Sequence, residues 1–242
     1  MLKLNATGHR NTENSRDIWL NSSRSSMAAT DAYAQLTNFT WTDAGTGWTS
    51  SALRLGGEAK AVVNNFNPFD AEIERDSLLE AGRTLMFHFK VLSFTKRDDQ
   101  SNPIIDCTVN RGGLGFKLLG DFIQVTNPNM IGEIKIPYTH NEDLHLTICM
   151  SPINDEDESG TIDNTSTSKR GLIEVYINGI LTTARLYTEA NFPTALSDIN
   201  FTIGSANARI DLYSVDVFRG VLNSREVVKY YLSTLKNGTL AE

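Results

Sequence analysis

Alternation between apolar and polar residues is the dominant pattern of this chain. In LIEVYINGIL, residues 172–181, the apolar residues Ile173, Val175 and Ile177 occupy every second position. Successive side chains of a β-strand project to opposite faces, so this spacing predicts a half-buried strand. The dipeptide Asn178-Gly179 follows within the same segment. It is a strong signal for a two-residue β-hairpin turn.

Short runs of this kind recur from about residue 36 onward and are separated by turn-forming residues. Short strands at regular spacing are typical of a β-sandwich or barrel. We therefore predict an all-β fold built largely from hairpins. The runs are ALRL (52–55), AVVNNF (61–66), TLMFHFKVL (84–92), IIDCTV (104–109), GFKLL (115–119), FIQV (122–125), EIKI (133–136), LHLTICM (144–150), IEVYI (173–177), ILTTARLY (180–187), INFTIG (199–204) and IDLYSVDVF (210–218).

The run TLMFHFKVL indicates how one strand is placed in the fold. Leu85, Phe87, Phe89 and Val91 share one face, which is wholly apolar. The other face is of mixed polarity and consists of Met86, His88, Lys90 and Leu92. We expect a strand near the centre of a sandwich, with its second face solvated or concave.

The C-terminal segment changes period. Val228, Leu232 and Leu235 are spaced as on one face of an α-helix. Asn223 and Glu226 stand where a capping box would place them, because an N-cap side chain and the third helical residue can satisfy each other's backbone N–H groups. We predict one short helix at this end.

Composition and charge narrow the class of protein. The chain has 242 residues, 40% of them hydrophobic and 21% charged, which suits a globular sandwich of one domain, residues 1–242. Its net charge of -7 argues against a nucleic-acid partner, since that affinity comes largely from clustered Lys and Arg. No signal peptide is visible in this chain. No apolar run is long enough for membrane insertion.

The C-terminal half, including FTIGSANARIDLYSVDVFRGVLNSREVVKYY (201–231), resembles the laminin-G-like branch of the concanavalin A-like lectin/glucanase superfamily. The resemblance implies a two-sheet antiparallel jelly-roll sandwich that ends in the short helix. The residues that match the pattern are Tyr176-Ile177-Asn178-Gly179, Ile203-Gly204, Ile210-Asp211, Val217-Phe218, Leu222 and Glu226. Further matching landmarks are RDIWLNSS (16–23), LTNFTW (36–41), GWTSSALRLGGEAKAVV (47–63), LMFHFKV (85–91), GGLGFKL (112–118) and LHLTICM (144–150).

The same superfamily contains lectins, glycosidases, protein-binding laminin-G modules and virion decoration domains. The N-terminal segments WLNSS and LTNFTW also resemble modules of bacteriophage tail and appendage proteins. The resemblance implies a non-catalytic binding module of a virion or cell-surface assembly, located on the virion or extracellularly. Its expected partners are a glycan or protein on a cell surface and other subunits of the assembly. A purely structural decoration domain and a glycoside hydrolase stay open as alternatives.

The segment FDAEIERDS carries the candidate catalytic carboxylates, Glu72, Glu74 and Asp76. Enzymes of the superfamily use two carboxyl groups about 5 to 5.5 Å apart for retaining hydrolysis. Arg75 and the residues that follow it suggest a polar connection. We therefore expect a solvated loop, and no enzymatic activity.

DEDESGTIDNTS, beginning at residue 155, is a candidate calcium loop. Asp155, Asp157, Ser159, Thr161 and Asp163 fall at positions 1, 3, 5, 7 and 9 of an EF-hand loop. Position 12 is a serine, where the bidentate Glu would stand, and the flanks are predicted strands. A calcium ion held by these oxygens and a solvated acidic hairpin loop are both compatible with the segment.

IPYTHNED contains the candidate ligand-binding residues Tyr138, His140, Asn141 and Asp143. An aromatic face packs against a sugar ring, while amides and carboxylates bind its hydroxyl groups. We predict that Tyr138 is an aromatic residue of an exposed rim.

The remaining candidates are tryptophans and cysteines. Trp19, Trp41 and Trp48 fall in predicted N-terminal strands and turns, where a Trp is more often part of the core. Cys107 and Cys149 lie in apolar runs, so we expect small buried side chains. A disulfide between them stays open.

Overall fold

In the computed structural model, most of the described residues lie in β-strands. The described residues are 1–23, 31–66, 82–94, 103–106, 115–126, 130–153, 169–189, 201–204, 208–218 and 220–238. The strands are β1 (Leu2–Asn5), β2 (Ile18–Leu20), β3 (Tyr33–Thr37), β4 (Gly47–Trp48), β5 (Leu53–Leu55), β6 (Lys60–Asn64), β7 (Arg83–Phe94), β8 (Pro103–Asp106), β9 (Gly115–Leu119), β10 (Phe122–Thr126), β11 (Ile134–Pro137), β12 (Asp143–Ile153), β13 (Lys169–Ile177), β14 (Ile180–Glu189), β15 (Phe201–Gly204) and β16 (Ala208–Phe218). One helix, α1 (Ser224–Gly238), follows them in the described part of the chain.

The strands form two antiparallel sheets of eight strands each within these ranges. Sheet A has the order β14-β13-β12-β7-β16-β5-β4, with β1 also paired to β16, and sheet B has the order β11-β10-β9-β8-β15-β6-β3-β2. The predicted antiparallel sandwich with a C-terminal helix is therefore confirmed. The assignment to the concanavalin A-like superfamily remains a prediction.

The two sheets enclose one hydrophobic core. The apolar face of β7 points into it as predicted, with Leu85, Phe87, Phe89 and Val91 each at most 1% exposed. Phe116 of sheet B meets this face, and its ring centroid lies 5.1 Å from that of Phe87 and 5.7 Å from that of Phe89. Aromatic contacts of this kind bury large apolar areas between the layers.

The predicted hairpin and capping box are both present. Asn178 and Gly179 have φ values of 51° and 78°, which suits the tight turn between β13 and β14. At the start of α1, the Asn223 N–H donates to Glu226 Oε2 at 2.9 Å, and the Glu226 N–H donates to Asn223 Oδ1 at 3.0 Å. These reciprocal bonds satisfy two N–H groups that the helix cannot pair internally.

Helix α1 packs on the outer face of sheet A, where Val227 contacts Cys149 and Tyr176. Val227 is fully buried, whereas Val228, Leu232 and Leu235, which gave the helical period in the sequence, are 39%, 49% and 50% exposed. The helix thus buries a narrow strip only, and its apolar stripe lies beside the contact.

Cys149 is a buried free thiol. Its Sγ accepts from Thr84 Oγ1 and donates to the Leu222 carbonyl, both at 3.6 Å, and burial raises the pKa of the thiol to about 11. Burial of Cys149 is as predicted, and Cys107 lies outside the described residues.

Candidate functional site

The predicted ligand-binding loop crosses from sheet B to sheet A at one end of the sandwich. Residues 138–142 link the last residue of β11 to the first residue of β12. Asn141 adopts a left-handed conformation with φ of 62°, and its N–H donates to the Val91 carbonyl near the end of β7 at 2.9 Å. Asn tolerates this conformation better than most residues. The loop is therefore fastened to the most central strand of sheet A.

Tyr138 and His140 form an aromatic pair in this loop, with ring centroids 5.1 Å apart. The Tyr138 hydroxyl donates to the Gly120 carbonyl at 2.6 Å, and its ring packs against the core. The sequence predicted an exposed rim aromatic residue. The ring is partly buried instead, because the turn between β9 and β10 brings an acceptor within reach of its hydroxyl.

His140 contacts a more open surface. Its Nε2 lies 3.0 Å from Asp121 Oδ1, and its ring meets the Phe94 ring edge-on with centroids 5.4 Å apart. The side chain of Asp121 is 67% exposed, whereas that of His140 is 22% exposed. The loop thus presents an aromatic patch beside an accessible carboxylate.

Asp143 faces a different direction from Tyr138. It begins β12, and its Oδ1 accepts from Lys90 Nζ and from the Tyr213 hydroxyl, each at 3.1 Å. These partners lie on the outer face of sheet A. The structure therefore brings Tyr138 and His140 together in the loop, whereas Asp143 belongs to the outer face of sheet A.

A second aromatic group lies at the same end of the sandwich, in residues 38–46. Phe39 and Trp41 stack with ring centroids 5.0 Å apart, and the Arg16 guanidinium lies 5.3 Å from the Trp41 ring centroid. Both rings are partly exposed. Trp19 and Trp48 are 0% and 3% exposed, as predicted for core residues, whereas Trp41 is partly buried and packs against the core.

Two arginines of sheet A hold this second loop in place. Arg209 Nη2 donates to the Ala44 carbonyl at 2.6 Å, and Arg209 lies opposite Ser93 at the end of β7. Arg54 Nη1 donates to the Asp43 carbonyl at 3.4 Å. Arg54 itself is fixed to β16 by a two-point ion pair with Asp211, with N–O distances of 2.7 and 2.8 Å. The first aromatic loop is therefore attached to β7, and the second is attached to β16 and β5.

We call the two groups together the rim. The rim consists of Phe39 and Trp41 with Arg16, and of Tyr138, His140 and Asn141 with Phe94 and Asp121. The sequence marked Tyr138, His140 and Asn141 of the second half as candidates and marked no residue of the first half as a candidate. The signal for the first was Trp41 within NFTWT, next to turn residues and outside any alternating run.

A row of rings also crosses the outer face of sheet A, and it was not predicted. The Tyr213 ring lies 4.5 Å from that of His88, His88 lies 5.4 Å from His145, and His145 lies 5.8 Å from Tyr231 of α1, all between centroids. The sequence signal was the mixed face of β7, which contains His88. Asp143 accepts a hydrogen bond from Tyr213 of this row and stands two residues after Asn141 of the rim, so the row begins next to the rim.

Burial keeps the row uncharged near neutral pH. It lowers the pKa of His88, against the opposing effect of Asp143, and lowers the pKa of His145 to about 4 with a contribution from His88. Burial, followed by Asp143, raises the pKa of Tyr213. These side chains are therefore neutral hydrogen-bonding groups at pH 7.

The other candidate sites fall outside the described residues. These are the carboxylates Glu72, Glu74 and Asp76 and the calcium loop residues Asp155, Asp157, Ser159, Thr161 and Asp163. Calcium binding by that loop stays a prediction. Within the described ranges, no group of three or more His, Cys, Asp or Glu side chains could hold a metal ion, and no helix is long and apolar enough to cross a membrane.

The chain is similar in structure to receptor-binding domains of botulinum neurotoxins. The receptor binding domain of botulinum neurotoxin D matches with a TM-score of 0.63 at 14% identity, over 97% of this chain and 52% of that chain. The type G domain matches with a TM-score of 0.54 at 14% identity, over 97% and 51%. The C/D mosaic serotype domain matches with a TM-score of 0.58 at 12% identity, over 96% and 50%.

This chain spans about half the length of those structures. At such identities the likeness concerns the fold alone. No protein-family model matches the sequence, and no curated protein matches it.

Proposed function

We propose that this chain is a non-catalytic binding module that recognises a carbohydrate on a cell surface through the rim. The observation that carries the proposal is the presence of two partly exposed aromatic groups at the same end of a rigid sandwich. Binding residues are often found on loops held by a rigid scaffold. The rim loops have this arrangement, since backbone hydrogen bonds and arginine side chains fasten them to strand ends.

The chemistry of the rim suits a sugar. The exposed parts of the stacked Phe39 and Trp41 rings provide apolar surface that a pyranose ring can contact, next to the Arg16 guanidinium. Asp121 and Asn141 are exposed at the other half of the rim and provide an acceptor and an amide for hydroxyl groups. A few convergent polar groups beside aromatic surface are typical of small-ligand sites.

The fold and the resemblance support the same class of function. The similar solved structures are named as receptor-binding domains, and the sequence resembles modules of phage tail and appendage proteins. We propose that the module is displayed on a virion or other extracellular assembly and attaches it to a host surface. A protein receptor is the alternative occupant of the rim.

A glycan array followed by calorimetric titration tests the proposal. We expect binding to a limited set of oligosaccharides, and a loss of affinity of about tenfold or more in Trp41→Ala and His140→Ala. Tyr33→Ala is a matched control, because Tyr33 is partly exposed at the far end of β3 from Phe39 and Trp41.

The outcomes separate the alternatives. Unchanged affinity in both rim variants would contradict the proposed site. Absence of binding to any arrayed glycan, together with rim-dependent binding to proteinase-sensitive receptors on cells, would favour the protein partner.

A further inference from the structure

Val228, Leu232 and Leu235 form an exposed apolar stripe along α1, and this stripe faces β13 and β14 of sheet A. Side chains on a helix advance by about 100° per residue, so Val228, Leu232 and Leu235 all lie roughly 80 to 140° around the helix from Val227, which points at the sheet. Tyr230 lies on the opposite side, where its ring is 5.1 Å from that of Phe218 in β16. Because β16 and β14 lie on opposite sides of β12, the stripe faces β13 and β14.

The outer face of β13 and β14 is open and, apart from Glu174, mostly apolar in its described residues. Tyr176 is on this face because it packs against Val227, and Leu181 lies directly opposite Tyr176. On the same face, Leu186 lies opposite Leu172, which is four residues from Tyr176 along β13. Leu181 and Leu186 are 50% and 47% exposed. We call this face the shelf, and it consists of Leu172, Glu174, Leu181, Ala184 and Leu186.

The stripe of α1 and the shelf of β13 and β14 lie side by side, with the helix raised above the sheet. We call the open surface that they form together the corner. Contiguous exposed apolar surface on a soluble domain commonly marks an interaction site. We propose that this corner is a self-association surface that binds a second copy of this chain. In the resulting two-fold dimer, the helix of each copy lies on the shelf of the other.

Shape and charge both favour a second copy as the occupant. A raised helix beside a recessed shelf is complementary to itself, which is what a two-fold interface requires. Arg225 and Lys229 are exposed and lie roughly 160 to 200° from Val227, so they point away from their own sheet. In the dimer they face the partner's shelf, where Glu174 is the acidic group. A lipid surface with anionic headgroups fits less well, because the whole chain carries a net charge of -7.

Sedimentation velocity of the full chain, from about 1 to about 200 μM, tests the proposal. The wild type is expected to show a concentration-dependent monomer–dimer equilibrium. Leu232→Glu and Leu181→Glu are expected to weaken dimerisation by about tenfold or more, since each places a carboxylate in the apolar corner. Leu20→Glu is the matched control, because Leu20 is 65% exposed on β2 of the other sheet.

A charge-reversal cycle identifies the contact between helix and shelf. Glu174→Lys and Lys229→Glu should each weaken the dimer, and the double variant should recover affinity relative to both single variants. Circular dichroism of each variant checks that the fold is retained.

Three results would overturn the proposal. These are a wild type that stays monomeric over the whole range, an equal loss of dimer in Leu20→Glu, and a double variant no tighter than the single variants. Co-sedimentation of a monomeric wild type with phosphatidylserine vesicles would assign the corner to a lipid surface instead. None of these results depends on glycan binding by the rim.

Discussion

His88 and His145 lie directly opposite each other on β7 and β12, with ring centroids 5.4 Å apart on the outer face of sheet A. His145 is 5% exposed, and its Nδ1 has no hydrogen-bond partner among the described residues. Protonation of either ring would place a charge in this enclosed space. Burial therefore favours the neutral form of both rings.

Acidification is expected to lower the free energy of unfolding through His145. Its folded pKa is about 4, below the ordinary value of 6.5, so the unfolded state takes up the proton first as the pH falls. The stability from the neutral ring is complete above about pH 6.5 and is lost toward pH 4, by about 3 kcal/mol in total. Urea denaturation at several pH values should show this loss in the wild type and a smaller one in His145→Gln. Parallel curves for the two proteins would contradict it, and His9→Gln controls for removal of a histidine elsewhere.

Asp216 should have the opposite effect. It lies opposite Met86 on β7, its Oδ1 is enclosed without a hydrogen-bond partner in the described part of the chain, and burial raises its pKa from 3.8 to about 6. A carboxyl with a raised folded pKa costs stability as the pH rises through that interval. Asp216→Asn should thus stabilise the protein by about 3 kcal/mol at pH 7 and by little at pH 4.

The exposed Asp121→Asn is the control for this substitution. If Asp216→Asn left the free energy of unfolding at pH 7 unchanged or lowered it, the prediction that the buried Asp216 carboxylate destabilises the folded protein would be wrong. The effects of Asp216 and His145 on the free energy of unfolding oppose each other between about pH 4 and pH 6. The contribution of each group is therefore measured more clearly in the single variants than in the wild type.

The core contact between the sheets can be tested with two phenylalanines of sheet B. Phe116 is 1% exposed and contacts both Phe87 and Phe89, whereas Phe122 is 45% exposed. Phe116→Ala is expected to lower the free energy of unfolding by about 3 to 5 kcal/mol, and Phe122→Ala by less than about 1 kcal/mol. Similar losses in both variants, measured by chemical denaturation, would argue against the observed sheet packing.

Gly171 is the position where β13 can carry no larger residue. It lies opposite Tyr187 of β14, and a Cβ atom at Gly171 would overlap the Tyr187 ring. Gly171→Ala should therefore cost about 1 to 3 kcal/mol, because the buried ring must move. Gly56→Ala is the matched control, since its Cβ would approach no atom closer than 3.6 Å. Equal stability of the two variants would show that the Tyr187 ring does not occupy this space.

The sequence predicted the parts of the fold that local chemistry determines. The alternation in β7, the Asn178-Gly179 hairpin and the Asn223–Glu226 capping box are all present, because each depends on neighbouring residues only. The orientation of α1 was not predictable in the same way. Val227 is its fully buried residue among those described, and packing of Val227 on Cys149 and Tyr176 decides the orientation together with the ring contacts of Tyr230 and Tyr231.

The candidate site was predictable in part for a similar reason. Tyr138, His140 and Asn141 are adjacent in the sequence, so composition alone drew attention to them. The loop of Phe39 and Trp41 is fastened at this end by Arg209 of β16, which is distant in sequence, and by Arg54 of β5, which is itself paired with Asp211 of β16. The row from Tyr213 to Tyr231 likewise joins four separate elements and has no local signature.

The most direct test of carbohydrate recognition at the rim uses the three tryptophan indole N–H signals in a ¹H–¹⁵N spectrum. The indoles of Trp19 and Trp48 donate to the backbone carbonyls of Asn5 and Arg16 at 2.9 and 2.8 Å and are buried, whereas Trp41 is partly exposed at the rim. Titration with an oligosaccharide from the array should shift the Trp41 signal and leave the other two in place. Binding that leaves Trp41 unshifted would contradict the proposed site.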